Sequence, residues 1–267
     1  MIPVTLVTGA SSGIGAELAR VFAAHGHELV LVARREADLE KLAEEIAAGG
    51  RPRPAVLPID LGRRDAVARI GAELASRGLE PQYVVNNAGF GLSGPAAVLS
   101  RDEQLSMIDL NIRALTELSL AFVDSLAAHR GGILNVASIA GFLPGPGMAV
   151  YYATKAYVLS FSEALHVELA ARGVRVTALC PGPVATGFQE RAGIRPGGIG
   201  ERTLLALSAR RVAKIGYNGF MRGKRVVIAG LGNTIAVFFL RLLPNALLLP
   251  MVAGRMRDGA DKPQGKR

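Results

Sequence analysis

A chain of 267 residues, half of them hydrophobic and with a mean hydropathy of +0.30, has ample material for a large buried core, which excludes disorder. The single cysteine, Cys180, excludes an intrachain disulfide framework, and four scattered histidines without Cys or carboxylate spacing give no metal site. The net charge of +9 is lopsided: residues 1–190 hold 16 Lys+Arg against 19 Asp+Glu, whereas residues 191–267 hold 15 against 3. Such a basic end suits anionic lipid, an acidic ligand or a plain solvated surface. Few aromatics and no recognisable binding motif argue against nucleic acid as the partner.

Along the chain, short Val, Leu and Ile runs predict strands over 4–8, 28–33, 54–59, 82–86, 131–137, 174–180 and 224–229. Between them, apolar residues at helical spacing predict helices near 14–25, 36–48, 63–77, 101–129, 150–172 and 203–221. Strands separated by crossovers of a helix's length pair in parallel with right-handed connections. The expected fold class is therefore α/β, a doubly wound parallel sheet of seven strands with helices on both faces. Residues 1–230 form this unit, and 231–267 form an apolar helical extension and basic tail belonging to the same domain. The Gly- and Pro-rich connection 181–202 has little periodicity, and its length points to a binding loop. The start of the chain lacks a charged, then apolar, export signal, so the expected location is cytoplasmic.

The first strand runs into TGASSGIG, residues 8–15, and then a helical run. Glycines at 9, 13 and 15 allow a tight turn, close approach of a phosphate and close strand–helix packing. The helix N-terminus then offers unpaired N–H groups to a pyrophosphate. The second strand ends LVLVARRE, placing Ala33 where an acid that holds a ribose 2′-hydroxyl is expected, followed by Arg34 and Arg35. Guanidinium groups there clasp a 2′-phosphate, which favours NADP(H); the alternative is two arginines on a solvated helix start. Asp60, in the IDL run at 59–61, either accepts from an adenine amino group or caps the helix that follows.

At 151–155 the sequence reads YYATK, which puts Tyr151 and Lys155 one helical turn apart on one face. A tyrosine is a poor acid–base group at neutral pH unless a cation stabilises its phenolate, and Lys155 is placed to supply that charge. Ser138, ending ILNVAS, can hydrogen-bond a substrate oxygen while Tyr151 gives it a proton. Tyr152 is left to packing or substrate contact, and Cys180 to the core as a small hydrophobe.

TGASSGIG, NNAG at 86–89, Asn111, Ser138, YYATK and PGPVAT at 181–186, in this order, resemble the short-chain dehydrogenase/reductase pattern over roughly residues 3–230. That resemblance implies a Rossmann fold and hydride exchange between a nicotinamide cofactor, NADP (NADPH) on the arginine argument, and a small-molecule carbonyl or alcohol. It implies a catalytic set of Asn111, Ser138, Tyr151 and Lys155, with Asn111 stabilising a helix kink and anchoring a water for proton relay. It further implies that Gly9, Ser11, Ser12, Gly13, Ile14, Gly15, Arg34, Arg35, Asp60, Leu61, Asn87, Ala88, Gly89, Pro181, Gly182, Val184 and Thr186 line the cofactor. Within the family the chain resembles bacterial oxidoreductases related to the 17β-hydroxysteroid and 3-ketoacyl-CoA reductases; the apolar and basic end of the chain is consistent with a hydrophobic substrate or a membrane surface. A homodimer or homotetramer through the helices at 101–129 and 150–172 is implied as well.

The most apolar stretch, 231–253, is interrupted by Arg241, Pro244, Asn245 and Pro250, and its pieces are too short to span a bilayer. Two short helices broken at Pro244 are expected. They either pack beside the substrate cleft, as part of its apolar wall through Phe238 and Phe239 or as an added interface, or close the bottom of the core; peripheral membrane contact is a further option. Against the reductase reading stand a dinucleotide sensor on the same fold, which needs no tyrosine–lysine pair, and a membrane-bound scaffold.

Overall fold

A computed structural model describes the backbone of residues 1–184, 186–193 and 206–260. Seven parallel strands form one sheet: β1 (Ile2–Thr8), β2 (Leu29–Ala33), β3 (Ala55–Pro58), β4 (Leu79–Asn86), β5 (Gly132–Val136), β6 (Arg175–Cys180) and β7 (Val226–Ile228). Their order is β3-β2-β1-β4-β5-β6-β7. Strand side chains alternate between faces, so in β2 Leu29 and Leu31 join one core cluster while Val30 and Val32 join the other. Both clusters are buried, as a parallel sheet with helices on each face requires.

Helices α1 (Gly13–Ala24) and α2 (Glu36–Ala48) cover the first face through Leu18, Phe22, Leu39 and Leu42, together with Phe220 of α9 (Ala209–Met221). On the second face Ile70 of α3 (Ala66–Ser76) packs with Leu118 of α5 (Leu115–Ala121), Leu126 of α6 (Val123–Ala128) and Leu165 of α7 (Ala149–Glu168). The chain reverses its direction of winding between β1 and β4, and in open α/β sheets ligands bind in the crevice at the carboxyl ends of such strands.

Three expectations need correction. The predicted helix 63–77 begins only at Ala66, because Asp60 turns the chain by accepting from the Gly62 N–H at 3.0 Å. The single helix expected over 101–129 is α4 (Arg101–Ile108), a π-helical segment Asp109–Ala114, α5 and α6. The widened turn accompanies the Asn111 side chain, which hydrogen-bonds to another loop, and the last break falls at Phe122. The helix expected over 203–221 is seen from Ala209; residues 203–205, like 194–202 of the long connection and the tail from 261, lie outside the described residues. The end of the chain does divide at Pro244, into α10 (Leu231–Leu242) and α11 (Asn245–Ala260), but α11 continues through Pro250. No described helix is long and apolar enough to cross a membrane.

Candidate active site

The glycine-rich turn follows β1 and opens α1. Gly9 and Gly13 have φ of +63° and +58°, conformations that side chains disfavour, and a Cβ at Gly15 would lie 2.3 Å from the Gly9 carbonyl oxygen. Ser12 stands at the N-cap in extended conformation with no side-chain cap bond, so its side chain satisfies none of the first N–H groups of α1. Ser11 and Ile14 are half-buried on the same turn. Asn87, after β4, clips the turn to the sheet by donating to the carbonyls of Thr8 and Gly9 at 3.0 and 3.2 Å. Thr8 Oγ1 in turn accepts from the N–H groups of Asn87 and Ala88. These contacts hold a backbone cradle whose glycines leave no room for side chains, the shape that a dinucleotide pyrophosphate fits.

Further along the crevice, Ala33 is buried at the end of β2 and Arg34 and Arg35 are exposed beyond it. Arg35 is tied to Asp38 in an ion pair, whereas Arg34 forms none among the described residues. Asp60 is exposed and Leu61 buried, so of the two it is the carboxylate that faces outward. On the opposite side, Pro181 accepts from the Ile139 N–H at 2.9 Å, joining the exits of β5 and β6. Beyond it Val184 is buried, and Thr186 lies against Gly13, where a Cβ would be 3.2 Å away. Gly182 rests on Asn233 of α10, with room for no side chain.

The four predicted catalytic residues converge at the end of β5. Tyr151 and Lys155 lie in the first turns of α7, and Ser138 precedes a short 3-10 turn, Ile139–Phe142. The Lys155 ammonium donates to the Val136 carbonyl at 2.8 Å and sits 5.9 Å from the centre of the Tyr151 ring. Ser138 Oγ accepts from the Ala140 N–H at 3.1 Å, which leaves its own proton to donate. Gly141 packs where a Cβ would be 2.6 Å from the Lys155 carbonyl oxygen, so the serine turn lies directly on α7. Asn111 is buried; its amide nitrogen donates to the Phe90 carbonyl at 2.9 Å and to Thr154 Oγ1 at 3.0 Å, while its carbonyl accepts from the Phe90 N–H at 3.1 Å. Thr154 then donates to the Tyr151 carbonyl at 2.7 Å. Asn111 thus links the loop after NNAG to the tyrosine's own turn. A Cβ at Gly89 would come 2.9 Å from Asn111 Oδ1, which keeps that loop close.

Burial pushes the Tyr151 phenol up to about 12, with the Ser138 hydroxyl acting to lower it. Burial pulls the Lys155 ammonium down to about 8, with Cys180 acting the other way. The YYATK spacing predicts a Lys155 charge that stabilises the phenolate. Here the ammonium is engaged by the Val136 carbonyl, and desolvation dominates both groups. Tyr152 packs its ring on Gly145, where a Cβ would lie 2.3 Å from the ring, and Cys180 is fully buried.

Two residues escaped the sequence reading. Phe188, on the short helix α8 (Phe188–Arg191), has its ring 5.3 Å from that of Tyr151. Arg191 lies 4.4 Å above the Phe90 ring and feels the charges of Arg34, Asp60 and Arg35, while burial is the largest influence lowering its own pKa. The segment is further tied down by the Ser93 N–H, which donates to the Ala192 carbonyl at 2.9 Å. The Gly/Pro-rich connection signalled a binding loop but not which side chains it would bring.

Residues 3–195 match the short chain dehydrogenase family. Sulfoacetaldehyde reductase 2 of Chromohalobacter salexigens is 39% identical over 191 residues, 70% of this chain and 75% of that one. A solved short-chain dehydrogenase from Sphingobium yanoikuyae in complex with NADPH is 31% identical, with a TM-score of 0.77 over 100% of this chain and 98% of the other. The bulky-bulky ketone specific alcohol dehydrogenase from Comamonas testosteroni is 28% identical, with a TM-score of 0.74 over 100% and 97%. The match runs from the first strand into the connection after the sixth, and the chain belongs to the short-chain dehydrogenase/reductase family, oxidoreductases that interconvert carbonyl and alcohol groups with a nicotinamide dinucleotide.

Proposed function

We propose that the protein is an NADPH-dependent reductase of a hydrophobic ketone or aldehyde, with Tyr151 as proton donor. The observation that carries this reading is the placement of the half-buried Tyr151 side chain beside Ser138 and one helical turn from Lys155, with desolvation raising the phenol so that it holds its proton at neutral pH. A protonated phenol in this position is placed to donate to a carbonyl oxygen, and the neighbouring Lys155 charge is what makes giving up that proton less costly. Ser138 donates a hydrogen bond to that oxygen, Tyr151 transfers its phenolic proton, and the nearby Lys155 ammonium offsets the phenolate that results. Asn111 holds the tyrosine turn through Thr154. When bound, the nicotinamide supplies the hydride that the carbonyl carbon receives.

The cofactor would be held by Gly9, Ser11, Ser12, Gly13, Ile14 and Gly15 at its pyrophosphate, and by Asn87, Ala88, Gly89, Pro181, Gly182, Val184 and Thr186 toward its reactive end. Asp60 and Leu61 would take the adenine. Preference for NADPH rests on Arg34, with Arg191 as a second cation and Arg35 weakened by its pair with Asp38. The NADPH complex of the Sphingobium relative and the bulky-ketone activity named for the Comamonas relative support the same reading. So do Phe188 and Met148 around Tyr151: a Cβ at Gly91 would touch all three. We further propose a homo-oligomer through the α4–α5 and α7 surface, and that 231–260 belongs to the same folding unit as 1–230.

The test is NADPH oxidation with aliphatic, aromatic and steroid ketones, acyl-thioester ketones and sulfoacetaldehyde, in wild type, Tyr151→Phe and Tyr152→Phe. Bulky ketones are expected to react best. Tyr151→Phe should lose at least about a hundredfold in kcat, the usual contribution of general acid catalysis, with NADPH affinity kept. Tyr152→Phe should lose far less. Best turnover of sulfoacetaldehyde would replace the hydrophobic substrate by a small anionic aldehyde, and a reversed order of the two variants would overturn the choice of tyrosine.

A further inference from the structure

Helix α10 is amphipathic the wrong way round for a helix on a water-facing surface. Its buried positions include Asn233, 2% exposed, and Val237, whereas Phe238 and Phe239 are each 61% exposed. Leu231, Ile235 and Leu242 continue the exposed stripe at intervals of three and four residues, so one face of α10 is apolar and uncovered. It continues past the Pro244 corner into Leu247 of α11, while Leu248 is buried. Of the 17 large hydrophobic residues exposed on the described chain, nine fall between 231 and 251. A contiguous patch of this kind on a water-soluble surface marks an interaction site.

Charge and length select its occupant. The segment from 231 onward holds six cations, Arg241, Arg255, Arg257, Lys262, Lys266 and Arg267, against Asp258 and Asp261. The larger region 191–267 holds 15 Lys+Arg against 3 Asp+Glu, whereas 1–190 is mildly acidic. A two-fold contact through this same patch would pair two copies of a sequence stretch that is net positive, and like charges oppose that. An anionic surface complements it. At 12 residues, α10 is about 18 Å long, well short of the ~30 Å hydrocarbon layer, so it can lie along a bilayer but not cross one. An exposed apolar face in a stretch of sequence rich in cations is the pattern of helices that rest in the headgroup region of anionic membranes.

We propose that the α10–α11 corner docks the protein on an anionic lipid bilayer, with Phe238 and Phe239 entering the interface and the net positive charge that the sequence carries from 231 onward favouring an anionic surface. The corner adjoins the site: α10 packs against Ile139–Phe142, the turn that follows Ser138, and Arg241 lies 5.6 Å from the Phe142 ring. Docking through it brings the catalytic crevice close to the lipid surface, where hydrophobic molecules partition.

The test is co-sedimentation of the full chain with vesicles of phosphatidylcholine alone and of phosphatidylcholine mixed with phosphatidylglycerol, which reads no turnover and so stands apart from the proposed reaction. Binding is expected to be at least about tenfold stronger to the mixed vesicles and to fall at high salt, as expected for several surface cations. The Phe238→Ser, Phe239→Ser double variant should lose about tenfold or more of that binding, with unchanged NADPH affinity and thermal midpoint because both rings are exposed. The chain has no tryptophan, so Phe239→Trp provides a clean reporter whose emission should shift to the blue on adding mixed vesicles. Equal binding to both lipid compositions, undiminished binding of the double variant, or an unshifted tryptophan would overturn the proposal. So would conversion of an oligomer to a monomer by the double variant, since a second copy would then cover the face.

Discussion

Lys155 is the residue at which burial and charge conflict most directly. Its ammonium is pulled from 10.5 to about 8, so between those values the unfolded chain binds a proton that the folded chain has released. Stability then rises with pH across that window, by up to about 3 kcal/mol for this group alone. Tyr151 and Cys180 act the other way: each is held protonated to about 12, so stability falls as pH rises above their ordinary values of 10 and 9. The net rise should therefore be clearest between pH 8 and 9. Thermal melts of the cofactor-free protein should show the midpoint climbing there in wild type and staying level in Lys155→Met; parallel curves would mean that the ammonium is not desolvated as described. Arg34 and Arg191 make a second residue-level case. Arg34→Asp should weaken NADPH binding about tenfold to a hundredfold without weakening NADH, the range of a lost charge-assisted phosphate contact, as fluorescence titration would reveal. Arg191→Gln should show the same preference for NADPH over NADH in its losses, at smaller size; equal losses for both dinucleotides would place Arg191 elsewhere on the cofactor. The two arginines differ in how they could be found. Arg34 follows a strand that announces itself and stands at a fixed offset from the glycines, while Arg191 reaches Phe90 only because an unpatterned connection folds back across the crevice.

At the scale of elements, all seven strands and the break at Pro244 were legible because periodicity and proline act locally. Periodicity did not show the interruption of 101–129 at Asn111, since its signal is one asparagine whose partners, Phe90 and Thr154, are 21 and 43 residues away, nor the second break at Phe122. The resemblance implied a kink at Asn111, and the helix widens there into a π turn, a form frequent at functional sites. The expectation for α10 was half met. It does pack beside the serine turn, yet Phe238 and Phe239 face outward rather than into a cleft wall, because Asn233 and Val237 hold the inner face. Asn233 donates to the Ala229 carbonyl at 2.7 Å and supports Gly182 in the loop that follows β6. Removing residues 231–267 should therefore disturb that loop rather than trim a free tail. The expected result is a lower thermal midpoint together with weaker NADPH binding, read by calorimetry and titration; a shortened chain with unchanged melting and affinity would show that the extension is independent of the fold.

Among the described residues, two surfaces gather several exposed large hydrophobic side chains each, and their differing charge suits them to different partners. One is the α10–α11 corner at the basic end. The other runs over α4, α5 and α7, where Leu105, Ile108, Leu120, Tyr157 and Val167 are exposed. These helices adjoin: α4 lies against α7, and the Tyr157 hydroxyl is 3.0 Å from Thr116 Oγ1 of α5. The breadth of the apolar content in AYVLSFSEALHVELA is what a helix buried on two sides needs, since Val158, Leu159 and Leu165 already face the core and leave Tyr157 and Val167 for something else. This second face lacks the concentration of positive charge at the first and carries both signs, Arg101 and Arg113 among Asp102, Glu103, Asp109, Glu117 and Glu168, so opposite charges are available to meet across a two-fold contact. Sedimentation velocity at micromolar concentration should give a dimer or tetramer. A double variant, Leu120→Lys with Val167→Lys, should shift it to monomer with little change in thermal midpoint measured on the isolated monomer, because both side chains are exposed in the single chain. Phe238→Ser with Phe239→Ser should leave the oligomer intact. A wild-type monomer, or an oligomer dissolved by the phenylalanine pair instead of the lysine pair, would exchange the roles given to the two faces.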